Sequence, residues 1–375
     1  MILWTSTAKF HRINLVSLLL LISVFSFGLS YCSVASDSTG KRPEIRAVDS
    51  VIIELQDDFV NIIYFNGSFF AGINSQRNKI FIYDTSGEIK KVINKLGIGP
   101  KEYKKIVKFG ILSSDEIAVV DETKILFFDI HSEKITSCPL DVKKILPLPH
   151  DLYLFEGGKG SLFFTSSSME HSPSQETYFD FVHTFTVFKQ RNCTFKNLGG
   201  YPVTSIYRGQ LYPTAFEPYI YVDHFEEKVY QIFPYELNIY IYDMSGKLRE
   251  VLPVKPDQFG KTVYRKEKSL ENMIYLLQKN SRFRKIIVGN KYIILQYLEA
   301  LPDEYISKSL ELYNKEGRFK RGNQASIYNK NGQKQGLDFR IDNMSLIGFD
   351  EDDYLWVQKI EDDETVKIYK AEIVF

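Results

Sequence analysis

Alternating apolar positions that run into an aromatic, a polar residue, a short turn and a second extended run recur six times along this chain. The clearest copies are KIFIYDTSGEI around Tyr83, KILFFDIHSEKI around Phe128, NIYIYDMSGKL around Tyr242 and LELYNKEGRF around Tyr313. Fainter copies are FTVFKQRNCTF around Phe188 and VKIYKAEIVF around Tyr369, and successive marker aromatics lie 45, 60, 54, 71 and 56 residues apart. A period of two is that of strands, and units of about fifty residues with about four short strands each are propeller blades. The pattern predicts an all-β chain: a six-bladed β-propeller with four-stranded blades.

The ends follow from counting strands. Val51-Ile52-Ile53-Glu54-Leu55 is strand-like but precedes the first complete unit, and the sixth unit stops at Phe375 after its third strand. Residues 48–56 are therefore expected to supply the outer strand of the last blade, so that the ring is closed by the N-terminal strand and neither terminal edge stays open. Upstream, Lys9, His11 and Arg12 precede an apolar run over 13–30, which reads as a secretory signal. It ends in Leu29-Ser30-Tyr31-Cys32, which resembles a bacterial lipoprotein cleavage box, with Tyr31 where a small residue is usual. The expected division is a signal peptide over 1–31, a tether over 32–47 that begins at a lipid-bearing Cys32, and the propeller over 48–375.

In a four-stranded blade, the second-to-third loop and the blade-to-blade connection emerge on one face, and the other two turns emerge on the opposite face. Here the latter are short: Asn66-Gly67, Thr85-Ser86-Gly87, Met244-Ser245-Gly246 and Lys315-Glu316-Gly317. Asn-Gly is the strongest short hairpin signal. The long segments, 157–180, 199–213, 253–282 and 324–342, fall on the other face, and within 264–279 Leu270, Ile274 and Leu277 have helical spacing. Loops carry function on rigid scaffolds, so the elaborated face is the expected binding face.

Charge and cysteine content narrow the partners. Without Lys9 and Arg12 the mature chain holds 45 basic against 47 acidic residues, and nothing resembles the basic stripe of a nucleic-acid-binding protein. The 24 Tyr and 28 Phe suit wedges between stacked blades. Besides Cys32 the chain has only Cys138 and Cys193, in neighbouring blades, and two unpaired thiols are the expectation.

Between the first two units lies Gly97-Ile98-Gly99-Pro100-Lys101-Glu102-Tyr103, preceded by Tyr83-Asp84-Thr85-Ser86-Gly87-Glu88. These segments resemble the Gly-x-Gly-Pro-Gly-Glu-Tyr connection and Tyr-Asp-x-x-Gly-Lys turn of the six-bladed β-propeller lipoproteins of Bacteroidetes, with Lys101 in place of a Gly. The resemblance covers about residues 45–375 and implies the same fold and a lipoprotein of the cell envelope, periplasmic or outer-membrane. The loop has neither the Lys-Ser/Thr ending nor the following helix of a phosphate loop.

Acidic runs over 350–353 and 361–364 lack the spacing of a calcium loop and read as solvated turns, so no metal and no cofactor is expected. No Gly-x-Ser-x-Gly is present, and no two of His171, His183 and His224 have ligand spacing. Aromatic and cationic residues (Tyr201, Tyr207, Arg208, Tyr212, Lys261, Arg282, Arg284) cluster along the long connections and suit sugar rings and acidic groups. The expected binding site is Glu102, Tyr103, His183, Tyr207, Arg208 and Arg282. The expected function is ligand binding in the envelope, the ligand being a glycan, a peptide or a partner protein, with the membrane reached through the N-terminal lipid. The alternative is a propeller-type hydrolase or lyase acting on a glycan or related small substrate, drawing acid and base from Glu102, His171, His183, His224 and Arg208.

Overall fold

The computed structural model describes residues 41–54, 60–65, 69–112, 116–141, 144–147, 155–156, 160–167, 177–208, 217–223, 225–260, 270–306, 321–342, 344–360 and 365–375. The signal segment, Cys32, His171, Tyr212, His224, Lys261, the Asn66-Gly67 turn and the segment around Tyr313 lie outside the described residues.

Six antiparallel sheets form the molecule. Blade one comprises Val60–Phe65, Phe69–Asn74, Ile80–Asp84 and Ile89–Ile93, and blade two Lys108–Ile111, Glu116–Val120, Lys124–Asp129 and Ile135–Pro139. Blade three has a divided first strand, Leu146–Pro147 and Phe155–Glu156, both paired with Ser161–Ser167, then Phe185–Lys189 and Thr194–Leu198. Blade four is Tyr219–Asp223, Lys228–Ile232, Asn238–Asp243 and Leu248–Pro253; blade five is Arg282–Val288, Tyr292–Leu298, Asn323–Asn329 and Phe339–Arg340. Blade six is Met344–Phe349, Leu355–Ile360 and Thr365–Val374, completed on its outer side by Glu44–Glu54. First strands of neighbouring blades contact one another all the way round, so they line the axis.

Closure is antiparallel, with Ile53 opposite Val366, Val51 opposite Ile368 and Glu44 opposite Val374. The closing strand starts at Glu44, inside the segment read as tether. A pair of hydrogen bonds from Arg46 to Glu372 Oε1, the longer at 2.9 Å, continues the pairing in the side chains.

The core is six wedges, one between each pair of adjacent blades. This accounts for the apolar runs: Ile80-Phe81-Ile82-Tyr83 is buried on both faces of its sheet, whereas the outer strand after it alternates. Rings fill the wedges, as where Phe65, Phe70 and Trp356 meet with centroids 4.7–5.2 Å apart and join blade one to blade six. Each fully buried aliphatic or aromatic side chain there contributes about 1.5–3 kcal/mol.

In blades one, four and five the third-to-fourth turns share one device. Asp84 Oδ1 accepts from the amides of Ser86 and Glu88, Asp243 Oδ1 from those of Ser245 and Lys247, and Asn329 Oδ1 from those of Asn331 and Gln333. Gly87, Gly246 and Gly332 follow with φ of 91°, 84° and 76°, a region open to glycine without Cβ strain. Blade five therefore takes its marker from Tyr328-Asn329-Lys330-Asn331-Gly332, and not from Tyr313. The connection over 299–322 lies between its second and third strands, and 324–342 is largely strand and short turn. In blade three, residues 161–167 form a strand where an insertion was expected.

Cys138 and Cys193 are joined by a disulfide, with Cα atoms 5.5 Å apart. This corrects the expectation of two free thiols. The turn after the third strand of blade three, with Cys193 at φ 50°, brings that residue onto the outer strand of blade two.

Candidate functional site

On one face lie the described parts of three connections: 177–184 within blade three, 199–208 and 217–218 between blades three and four, and 254–260 and 270–281 between blades four and five. The last contains the helix Leu270–Lys279. Blade five adds 299–322.

The connection from blade one to blade two is a closed staple. Gly97 N–H donates to the Tyr103 carbonyl at 3.0 Å, Tyr103 N–H to the Lys95 carbonyl at 2.9 Å, and Gly99 N–H to Glu102 Oε2 at 2.8 Å. A Cβ at Gly97 would fall 2.0 Å from that carboxylate oxygen, so a larger residue there would displace the Glu102 carboxylate from its loop. Tyr103 is wholly buried; its hydroxyl stands 2.8 Å from the Asn78 carbonyl and 3.1 Å from that of Ile93, and burial pushes its pKa up to about 12. Tyr103 therefore ties two blades together and offers no ligand surface, and Glu102 spends one oxygen on its own loop.

Tyr207, expected among the binding residues, is also wholly buried. Its ring packs with Phe179, Tyr201 and Phe233 at centroid separations of 5.4–5.8 Å, and its hydroxyl accepts from Tyr235 N–H at 3.1 Å. The aromatic residues of this connection form a core beneath the face rather than a shelf upon it. Below them the buried Glu236 accepts from the Ser205 and Tyr240 hydroxyls and from Ile206 N–H, and burial raises its pKa. Arg208 is equally engaged: Nη1 pairs with Asp180 at 2.8 Å, while Nε and Nη2 donate to the carbonyls of Tyr201 and Pro202. It fastens the connection to blade three.

His183 is exposed on the same face. Ile98, Phe181 and Val203 lie there too, exposed to 85 %, 60 % and 83 %; on the short-turn side Phe225 is exposed to 76 %.

Arg282 differs from Arg208. It opens the inner strand of blade five, and the following Phe283 N–H donates to the Pro234 carbonyl at 2.8 Å, which fixes this strand end against blade four. Arg282 Nε is enclosed without an acceptor among the described residues. Arg284 stands close to it, hydrogen-bonded to Tyr219. Arg321 approaches from the connection over 299–322; burial first, then the neighbouring Arg282 charge, pulls its pKa well down. No local pattern marks Arg321 in the sequence, because it reaches the cluster from the far end of a long connection.

Among the described residues no group of three His, Cys, Asp or Glu side chains could hold a metal ion. In the acidic turn, Asp350 Oδ1 accepts from the amides of Asp352 and Tyr354, and Oδ2 from Trp356 Nε1 and Lys370 Nζ.

Comparison with known proteins bears on the fold. The sequence profile of DUF5128, a family of six-bladed β-propellers, matches residues 55–343. The chain belongs to this family. Among solved structures it is similar to a DUF4221 family member from Bacteroides vulgatus, at 14 % identity and a TM-score of 0.63, over 88 % of this chain and 98 % of that one. It is also similar to a candidate exported protein from Bacteroides fragilis, at 14 % identity and a TM-score of 0.56, over 89 % and 96 % of the two chains. None of the curated proteins matches it. At such identities the likeness speaks to the fold alone, and this DUF5128 chain shares its six-bladed ring with both.

Proposed function

We propose that this DUF5128 protein is an exported, lipid-anchored binding protein of the cell envelope that receives its ligand over the channel end framed by the long connections. The observation that carries this reading is the asymmetry of the two faces. One face has turns of a few residues organised by Asp84, Asp243 and Asn329; the other has every long connection, together with exposed Ile98, Phe181, His183 and Val203. Rigid blades with elaborated loops at one end are how such scaffolds present binding surfaces.

Export is supported by the apolar leader ahead of Cys32, by the Cys138–Cys193 disulfide and by the similarity to a candidate exported protein. Disulfides persist in oxidising compartments and are rare in the cytosol. Binding is favoured over catalysis because Glu102 and Arg208, two of the acid–base candidates, are committed to holding their own loops.

Two measurements test this. Cell fractionation with mass spectrometry of the mature N-terminus should find wild-type protein with membranes and an acylated Cys32, and Cys32→Ala in the soluble periplasmic fraction. A cytoplasmic wild-type protein would contradict it. Calorimetric screening against oligosaccharides and peptides should give a ligand whose binding Val203→Glu weakens and Phe225→Ser does not.

A further inference from the structure

We propose that Arg282, flanked by Arg284 and Arg321, receives one oxyanion group (a carboxylate, sulfate or phosphate) of the molecule that docks on the long-connection face. The inference rests on that reading of the face and adds the charge of the ligand and the residue that recognises it.

Arg282 is half-buried and has its Nε shut away from solvent without an acceptor among the described residues. A buried donor left unsatisfied carries the full desolvation penalty of the group. The penalty is compounded by two further guanidinium groups within electrostatic range. Arg321 cannot swing away. Its Nε donates to the Glu299 carbonyl at 2.7 Å, Nη1 to the Leu277 carbonyl, and Nη2 to those of Asn280 at 2.6 Å and Leu298 at 3.4 Å. These carbonyls hold the guanidinium without neutralising it.

The nearest carboxylate charge acts on Arg321 and Arg340 rather than on Arg282. Glu299 Oε1 accepts from Gln324 at 2.5 Å and Oε2 faces Arg340 at 3.8 Å, while Asp342 also faces Arg340 at 3.8 Å. Lys285, further along the same strand, donates to the carbonyls of Leu346 and Ile347 in blade six. The cations around Arg282 thus have acceptors among the described residues and Arg282 Nε lacks one, at the first residue of the inner strand of blade five. The missing group is an acceptor of negative charge, and the planar fork of arginine suits the paired oxygens of an oxyanion.

The test is thermal unfolding of the mature chain in inorganic phosphate, sulfate, galacturonate or galactose, each against sodium chloride at matched ionic strength. Wild-type protein should show a saturable rise in Tm with at least one anion and none with galactose. The anion that saturates at the lowest concentration separates a sugar carboxylate from a sulfate or phosphate ester. Arg282→Gln should need at least tenfold more of that anion, and Arg282→Lys, which keeps the charge and loses the fork, should fall between. Without anion, Arg282→Gln should melt no lower than wild type, since a repulsive contact has gone. No anion effect beyond chloride, or one that Arg282→Gln leaves intact, would overturn the proposal. A ligand from the calorimetric screen that binds the long-connection face equally well in Arg282→Gln would overturn it while leaving the binding face standing.

Discussion

Cys138, on the outer strand of blade two, is bonded to Cys193, in the turn before the outer strand of blade three, so two neighbouring blades are locked at their rims. The bond closes a loop with 55 residues of sequence separation. Cross-links of this kind stabilise by about 2–4 kcal/mol, largely by restricting the unfolded chain. The Cys138→Ser/Cys193→Ser double variant should lose that amount in denaturant unfolding, and dithiothreitol should lower wild-type stability but leave the variant unmoved. An equal response of both proteins would exclude a structural disulfide.

Ring closure depends on Glu44–Glu54. Ile53 is wholly buried and packs in the wedge between blades six and one. Ile53→Ala should cost about 2–5 kcal/mol, the range for buried aliphatic truncations. Deleting residues 41–54 should expose two sheet edges and broaden or abolish the cooperative melt. A deletion variant with a wild-type transition would refute closure by this strand.

Arg208→Ala should act on stability. The substitution removes an ion pair and three carbonyl contacts at a partly exposed site, a loss of about 1–3 kcal/mol. Ligand binding should change less than it does in Arg282→Gln. Chemical denaturation beside calorimetry separates the two effects, and an Arg208→Ala protein with wild-type stability but abolished binding would return Arg208 to the ligand site.

The turn aspartates give the fold an acid limit. The pKa of Asp84 is held well below the ordinary carboxylate value first by Lys90, and that of Asp243 first by the Ser245 hydroxyl, with amide donors adding to both. A depressed folded-state pKa contributes stability that is fully present above the unfolded value near 4 and is lost as pH falls toward the folded one. Stability should therefore decline below about pH 5. Asn329 fills the same position without ionising, so Asp243→Asn should keep its turn and flatten part of the pH dependence in urea titrations at pH 3–7. An unchanged slope would mean that the carboxylate charge contributes nothing.

The ring was legible because each blade repeats a burial pattern set by the wedges, and because an unpaired strand at one end matched a missing strand at the other. Blade five misled because Tyr313-Asn314-Lys315-Glu316-Gly317 and Tyr328-Asn329-Lys330-Asn331-Gly332 satisfy the same turn chemistry. Only the pairing of Asn323–Asn329 with Tyr292–Leu298 distinguishes them. Tyr103 and Tyr207 looked like ligand residues since an aromatic in a connection can point outward or into a wedge, and local sequence does not record which. The disulfide and the arginine cluster depend on distances between blades, beyond the reach of any local pattern. Arg282 and Arg284 stood out only as cations bordering a long connection.

Hydrogen–deuterium exchange of the mature protein, with and without a saturating ligand from the calorimetric screen, tests directly whether the face with the long connections receives the ligand. Protection is expected over residues 97–107, 177–208, 233–237 and 282–284. Protection confined to the opposite turns, over 84–88, 129–134, 243–247 and 329–333, would contradict the account.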